Sequence, residues 1–251
     1  MLEIKDLVVK TEDKSILNKF NFEVNSGKIV VIMGPNGVGK STICRVILGD
    51  PNYKIEKGTI KYNGRIINDL STTERARMGI YYISQNPIAI EGVTNAQMLR
   101  TSLMEVKKEN ICIKIFNKEL ESICETLDIP KNFIHKNINE GASGGERKKI
   151  ELLHLWVLKP SLILLDELDS GLDVDAIKKV IKSLNKYYKE YNPTIIIITH
   201  HFKILNLLKP SRVYILQNGT IVKSGSIELA RKIENNGFKK AFSVSENEEN
   251  E

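Results

Sequence analysis

Residues 34–42 read Gly34-Pro35-Asn36-Gly37-Val38-Gly39-Lys40-Ser41-Thr42. An apolar run over 28–33 precedes them and an apolar-periodic run over 43–48 follows, which predicts a strand, a glycine-rich loop and a helix. The stretch matches the pattern G-x-x-x-x-G-K-[ST] at every fixed position. Backbone N–H groups of such a loop close around phosphate oxygens, and the helix points its positive end at the anion. We therefore expect these nine residues to bind a nucleoside triphosphate, with Lys40 on the β- and γ-phosphates and Ser41 on Mg²⁺.

The rest of the chain alternates predicted strands with predicted helices, which is typical of an α/β protein with a mostly parallel core sheet. Residues 2–9 and 16–24, with the hairpin signal Asn63-Gly64, predict an antiparallel β subdomain. Helical periodicity runs from about 94 to 127, so we expect a helical subdomain inserted at about 90–158. A single domain is predicted over 1–242. The acidic tail 243–251 is predicted to be disordered.

Two carboxylates, Asp166 and Glu167, follow a fully apolar run and predict a strand that ends in acids. Alternation places them on different sides of the strand, so that one reaches Mg²⁺ and the other addresses a water molecule. A second glycine pair precedes a basic helix start, and we expect unpaired N–H groups there. This segment reads Ser143-Gly144-Gly145-Glu146.

Other polar residues stand at strand ends in the sequence. Gln85 ends the predicted strand 79–84, and His200 follows the predicted strand 194–199. Because the carboxyl ends of parallel strands share one edge of a sheet, we expect a crevice site there. The two tyrosines before Gln85, Tyr81 and Tyr82, are interpreted as core residues.

Composition excludes several classes of protein. The 251 residues carry a net charge of +6, but the lysines are scattered and no basic stripe interleaved with aromatics is present, so no nucleic-acid partner is expected. No apolar run approaches the roughly 18 residues of a membrane span, so we expect no membrane insertion and a cytoplasmic location. The three cysteines lack metal-site spacing and are interpreted as buried thiols. They are Cys44, Cys112 and Cys124.

The order of these motifs carries a family resemblance. After the phosphate loop come Gln85, the Ser143 segment, the acid pair, Asp173 and His200, and in this order they resemble the ABC-type ATPases over nearly the whole chain. The resemblance narrows to the SufC family, the soluble ABC-type ATPases of SUF iron–sulfur cluster assembly. Glu146 stands where transporter subunits typically have Gln, and Leu168-Asp169 stand where they have a Pro-Thr pair.

This resemblance implies the site and the partners. ATP and Mg²⁺ are the implied cofactors, and SufB/SufD-type scaffold proteins are the implied partners. The Ser143 segment is expected to complete the site of a second copy in an ATP-dependent head-to-tail dimer. The implied catalytic residues are Lys40, Glu167 and His200, the implied metal ligands are Ser41, Gln85 and Asp166, and the implied nucleotide-binding set adds Gln85, Ser143, Gly144, Gly145, Glu146 and Asp173 to residues 34–42.

Two alternatives share these motifs. The chain could be the energy-coupling ATPase subunit of an ABC transporter, which docks a membrane permease. It could also be a nucleotide-dependent switch that does not hydrolyse ATP, although Glu167 and His200 argue against that.

Overall fold

A computed structural model describes residues 1–12, 14–168, 172–199 and 201–243. None of the helices in these ranges is long and apolar enough to cross a lipid bilayer. The chain forms two compact units, which are described separately.

The first unit contains residues 1–82, 162–168 and the described residues from 193 onward. Its larger sheet has six strands in the order β12-β11-β3-β10-β9-β6. Strand β3 pairs in parallel with both β10 and β11, β10 pairs in parallel with β9, and β12 is antiparallel to β11. These strands are β3 (Ile29–Met33), β6 (Ile80–Ile83), β9 (Leu162–Asp166), β10 (Thr194–Ile198), β11 (Arg212–Gln217) and β12 (Thr220–Gly225).

The predicted α/β class with a mostly parallel core sheet is confirmed. All residues of β3, β9 and β10 are buried, as expected for central strands that are covered on both faces. One cluster of buried apolar side chains runs through this unit. Its helices are α1 (Lys40–Leu48), α2 (Thr72–Arg77), α7 (Phe202–Leu208) and α8 (Ile227–Ser243).

An antiparallel sheet of four strands, in the order β2-β1-β4-β5, belongs to the same unit. Asn63 and Gly64 connect β4 to β5 with φ angles of 49° and 83°. Positive φ at both positions is the geometry of the tight hairpin turn that the Asn-Gly pair predicts. The strands are β1 (Leu2–Lys10), β2 (Ser15–Val24), β4 (Lys54–Tyr62) and β5 (Arg65–Ile66).

The second unit contains residues 83–161 and the described residues of 169–192. Helix α5 packs against three other helices and is buried over all of residues 150–157, so it forms the centre of this unit. The helices are α3 (Asn95–Lys107), α4 (Ile113–Leu127), a 3-10 turn (Lys131–His135), α5 (Gly144–Leu158) and α6 (Val174–Tyr191), and the strands are β7 (Ile90–Thr94) and β8 (Asn137–Ile138).

Some predicted boundaries differ from the structure. The periodic stretch from 94 to 127 forms two helices, because α3 ends at a left-handed Lys108 and α4 begins only at Ile113. The last helix continues past Asn235 to Ser243, with a kink at Gly237. Of the tail that is predicted to be disordered, all but Ser243 lies outside the described residues. The predicted insertion at 90–158 stays a prediction.

Candidate functional site

The loop between β3 and α1 is shaped by its glycines. A Cβ on Gly34 would lie 2.3 Å from the carbonyl oxygen of Leu216, so only glycine fits against strand β11. Gly39 precedes α1 with a φ of 100°, which side chains rarely tolerate. The glycine pattern in the sequence is therefore required by the backbone of this loop.

The amino terminus of α1 is open to an anion. Gly39, its N-cap, has no side chain that could accept a capping hydrogen bond, and the first turn contains no acidic residue. The first N–H groups of a helix have no partner within the helix, and its dipole places partial positive charge there. A bound phosphate would accept hydrogen bonds from these N–H groups, and its negative charge would interact favourably with the helix dipole.

Lys40 is folded over the same loop. Its side chain is buried, and Nζ donates to the carbonyl oxygens of Gly34 and Pro35 at 2.9 and 2.8 Å. Burial lowers the pKa of Lys40, and the negative charges of Glu167 and Asp166 oppose that shift. The ammonium group is therefore held between the phosphate loop and the acids at the end of β9.

Ser41 and Asp166 meet at the site. Asp166 is the last residue of β9 and is only 2% exposed. Ser41 Oγ donates to Asp166 Oδ1 at 3.0 Å, which joins the first turn of α1 to the end of β9. A hydroxyl and a carboxylate supply the hard oxygen ligands that Mg²⁺ prefers, so this donor set fits the implied metal.

Glu167 stands directly beyond the strand. Its backbone N–H donates to the carbonyl oxygen of Ile198 at 2.9 Å, and its φ is +47°. A glutamate in the left-handed region is uncommon, and such backbone strain often accompanies functional positions. Asp166 thus lies inside the strand and Glu167 at the turn beyond it, and the predicted division of roles between them stays a prediction.

Tyr82 is a site residue that the sequence interpretation missed. Its ring packs against the core cluster, as predicted, but its hydroxyl also donates to Asp166 Oδ2 at 2.9 Å. Burial, together with the negative charge of Asp166, raises the pKa of Tyr82 well above its ordinary value. Nothing local to Tyr82 could reveal this contact, because it arises from the pairing of β6 beside β9 in the sheet.

Gln85, Asp173 and the Ser143 segment belong to the second unit. Gln85 is exposed just after β6. Asp173 is the N-cap of α6, and its Oδ1 accepts from the N–H groups of Asp175 and Ala176 at 3.0 and 2.8 Å. The structure thus gives Asp173 a capping role, and its contact with nucleotide stays a prediction.

The start of α5 differs from what the glycine pair predicts. Ser143 Oγ accepts from the backbone N–H of Glu146 at 3.3 Å, and Glu146 Oε2 accepts from the backbone N–H and the hydroxyl of Ser143 at 2.9 and 3.0 Å. This reciprocal capping box supplies partners for the N–H groups of Ser143 and Glu146. The expectation that the N–H groups here are left unpaired is therefore wrong for those two.

His200 lies outside the described residues, as do Asp169, Ser170 and Gly171.

The cysteine interpretation needs one correction. Cys44 and Cys124 are buried, as expected, but Cys112 is exposed. Within the described ranges, no group of three or more His, Cys, Asp or Glu side chains could hold a metal ion.

Residues 17–170, more than half of the chain, match the family described as ABC transporter. The chain belongs to the ABC transporter family. Vegetative protein 296 of Bacillus subtilis is 40% identical over 239 residues, which cover 94% of this chain and 91% of that relative. A protein of Cyanophora paradoxa, named Probable ATP-dependent transporter ycf16, is 39% identical over 242 residues, which cover 95% and 93%.

Solved structures agree with the assignment of the fold. The dimeric ATP-binding cassette MJ0796, bound to ADP and Pi, superposes with a TM-score of 0.77 at 22% identity, covering 90% of this chain and 99% of that one. At this identity the likeness concerns the fold alone, and it confirms an ABC cassette. The chain is therefore an ATP-binding cassette of the ABC ATPase type.

Proposed function

We propose that this chain is an Mg²⁺-dependent ATPase of the SUF type, which hydrolyses ATP to drive a conformational change in a SufB/SufD-type scaffold during iron–sulfur cluster assembly. Membership of the ABC transporter family supports the ATPase part. The observation that most directly supports the ATPase part is the hydrogen bond from Ser41 to Asp166, because this bond brings the phosphate loop and the acidic strand end together. A cytoplasmic location stays a prediction.

Two features of the sequence support the SUF branch. Glu146 replaces the glutamine that transporter subunits typically have, and it closes the capping box with Ser143. Leu168 and Asp169 replace the usual Pro-Thr pair.

The proposed roles follow the requirements of phosphoryl transfer, which asks the protein for positioning and charge stabilisation. Residues 34–42 hold the phosphates, and Lys40 places positive charge on the β- and γ-phosphates. Ser41, Asp166 and Gln85 would hold Mg²⁺, which supplies charge neutralisation on the phosphate oxygens. Glu167 orients the attacking water, and His200 contacts the γ-phosphate.

The site is proposed to be completed by a second copy. Ser143, Gly144 and Gly145 would meet the γ-phosphate that is bound to the other chain of a head-to-tail dimer. The relative with the same fold that is solved as a dimer with ADP and Pi is consistent with this arrangement.

The substitution Glu167→Gln tests both hydrolysis and the dimer. We expect the variant to bind ATP, to hydrolyse it about 10³-fold more slowly because the water loses its base, and to accumulate as a dimer. Phosphate release measures the first effect, and size exclusion with light scattering in ATP and Mg²⁺ measures the second. Glu234→Gln, an exposed acid on α8, is the matched control. A variant that binds ATP and remains monomeric would contradict the composite site.

The pathway needs a separate experiment. Affinity purification of the chain from its own cells without detergent, followed by mass spectrometry, should recover a soluble pair of related scaffold proteins. The second candidate function is energy coupling for a transporter, which the name of the Cyanophora paradoxa relative favours. Recovery of a membrane permease, and only after detergent is added, would support that alternative and leave the ATPase mechanism in place.

A further inference from the structure

We propose that Tyr82 is a positioning residue, which holds the Asp166 carboxylate in the orientation that the metal site requires. This inference rests on the proposed function, because it assigns Asp166 to the Mg²⁺ site. Tyr82 is outside the motifs that indicate the ATPase, and its role follows from the arrangement of α1, β6 and β9.

Both oxygens of the Asp166 carboxylate have a donor. Ser41 Oγ donates to Oδ1 at 3.0 Å, and the Tyr82 hydroxyl donates to Oδ2 at 2.9 Å. Because Asp166 is 2% exposed, water has little access to replace either donor. The two bonds approach the carboxylate from different elements, α1 and β6, so together they fix its rotation.

The direction of the Tyr82 proton is also fixed. A carboxylate can only accept, so the phenol presents its own proton to Asp166 Oδ2. The positive charge of Arg45 acts on Tyr82 and makes its hydroxyl a better donor.

Helix α1 acts on the same carboxylate through Ser41, which donates to Asp166 Oδ1. Arg45 is four residues further along the same face of the helix and places a positive charge that acts on Tyr82. A ligand that moves the start of α1 would therefore be felt at Asp166, and the bond to Oδ2 gives the tyrosine hydroxyl a function beyond packing.

Removal of the hydroxyl should loosen the metal site. In Tyr82→Phe the ring remains, but Oδ2 of a buried carboxylate loses its donor, so only the bond from Ser41 to Oδ1 holds the carboxylate. Loss of a partner that orients a metal ligand typically costs about 10- to 100-fold in metal affinity. Since Tyr82 has no proposed contact with nucleotide, ATP binding without Mg²⁺ should be unchanged.

The matched control is Tyr214→Phe. Tyr214 lies on β11 of the same unit, is also half-buried, and its hydroxyl donates to the carbonyl oxygen of Glu23 at 3.1 Å. Each variant loses one tyrosine hydroxyl bond, so a merely structural role predicts similar losses of thermal stability in both. Only Tyr82→Phe should change the response to the metal.

The experiment uses the full chain. A fluorescent ATP analogue is titrated at increasing Mg²⁺, and Mn²⁺ bound in the presence of ATP is counted by electron paramagnetic resonance. We expect the Mg²⁺ concentration for half-maximal binding to rise about tenfold or more in Tyr82→Phe, with no shift in Tyr214→Phe. A wild-type midpoint in Tyr82→Phe would overturn the proposal.

Two further results separate the possible failures. If the wild-type chain binds ATP equally with and without Mg²⁺, the metal-dependent function itself fails. If Tyr82→Phe does not fold, Arg45→Gln decides, because it leaves Tyr82 in place and removes the positive charge that makes its hydroxyl a better donor. This variant should shift the Mg²⁺ midpoint in the same direction by a smaller factor, and an unchanged midpoint would overturn the proposal.

Discussion

Helices α1 and α5 both follow a glycine-rich segment, yet their amino termini differ. At α1 the cap is Gly39, and the first turn carries no acid. At α5 the cap is Ser143, and Glu146 at the third helical position accepts from both the backbone N–H and the hydroxyl of that serine. These bonds lower the pKa of Glu146, so it is charged at neutral pH. The two glycine-rich helix starts therefore differ in whether side chains of the first turn bond its N–H groups.

Placing an acid in α1 should close the phosphate site. Thr42 is the third helical residue of α1, the position that Glu146 occupies in α5. Thr42→Glu should weaken ATP binding about 100-fold, because a carboxylate would compete with phosphate for the N–H groups and repel it. Titration with a fluorescent ATP analogue measures the loss.

Thr42→Gln controls for side-chain size, because Thr42 is buried. We expect Thr42→Gln to weaken ATP binding by a factor about ten times smaller than the factor for Thr42→Glu. Equal losses in the two variants would show that crowding, and not charge, separates the two helix starts.

The interior of α5 should make the second unit sensitive to acid. His154 is buried in α5, its Nε2 lies 3.1 Å from Asn95 Oδ1, and burial lowers its pKa to about 4. The unfolded chain takes up this proton near pH 6.5, so between those values the unfolded state binds more protons. The free energy of unfolding should therefore fall by about 2 kcal/mol between pH 7 and pH 5.

Urea denaturation at both pH values measures this change. His154→Gln should remove most of the pH dependence, whereas His135→Gln, at an exposed position of the 3-10 turn, should retain it. If His154→Gln kept the pH dependence of the free energy of unfolding, groups other than His154 would be responsible for it.

The smallest expected effect concerns the cap of α5. Ser143→Ala removes the hydroxyl that accepts from Glu146 and should lower the free energy of unfolding by about 1 kcal/mol. Glu146→Gln retains an acceptor for the Ser143 N–H and should cost less. Urea midpoints compare the two variants. If Ser143→Ala were neutral, the capping box would not stabilise the start of α5.

Local patterns predicted much of the site. The spacing of Gly34, Gly39, Lys40 and Ser41 fixes a loop that the structure reproduces, because the close approach at Gly34 and the positive φ at Gly39 leave no other residue type. The Asn63-Gly64 turn follows in the same way, since its φ angles are a property of two adjacent residues.

Other features could not be predicted from local sequence, because they depend on how strands and helices are placed in the fold. Tyr82 and Asp166 are 84 residues apart in the chain, and they meet through the placement of β6 beside β9. Cys112 looked like its buried counterparts, and only the break between α3 and α4 leaves it exposed. Burial of a side chain depends on which elements cover it, and periodicity alone does not contain that information.

The sequence by itself determined that the chain is an α/β cassette with a phosphate loop, because turns, glycine positions and helix starts are set by neighbouring residues. The tertiary structure alone decided which side chains orient Asp166, because that depends on which strands lie side by side in the sheet. The Tyr82 hydroxyl becomes part of the site only because folding buries it within reach of the carboxylate.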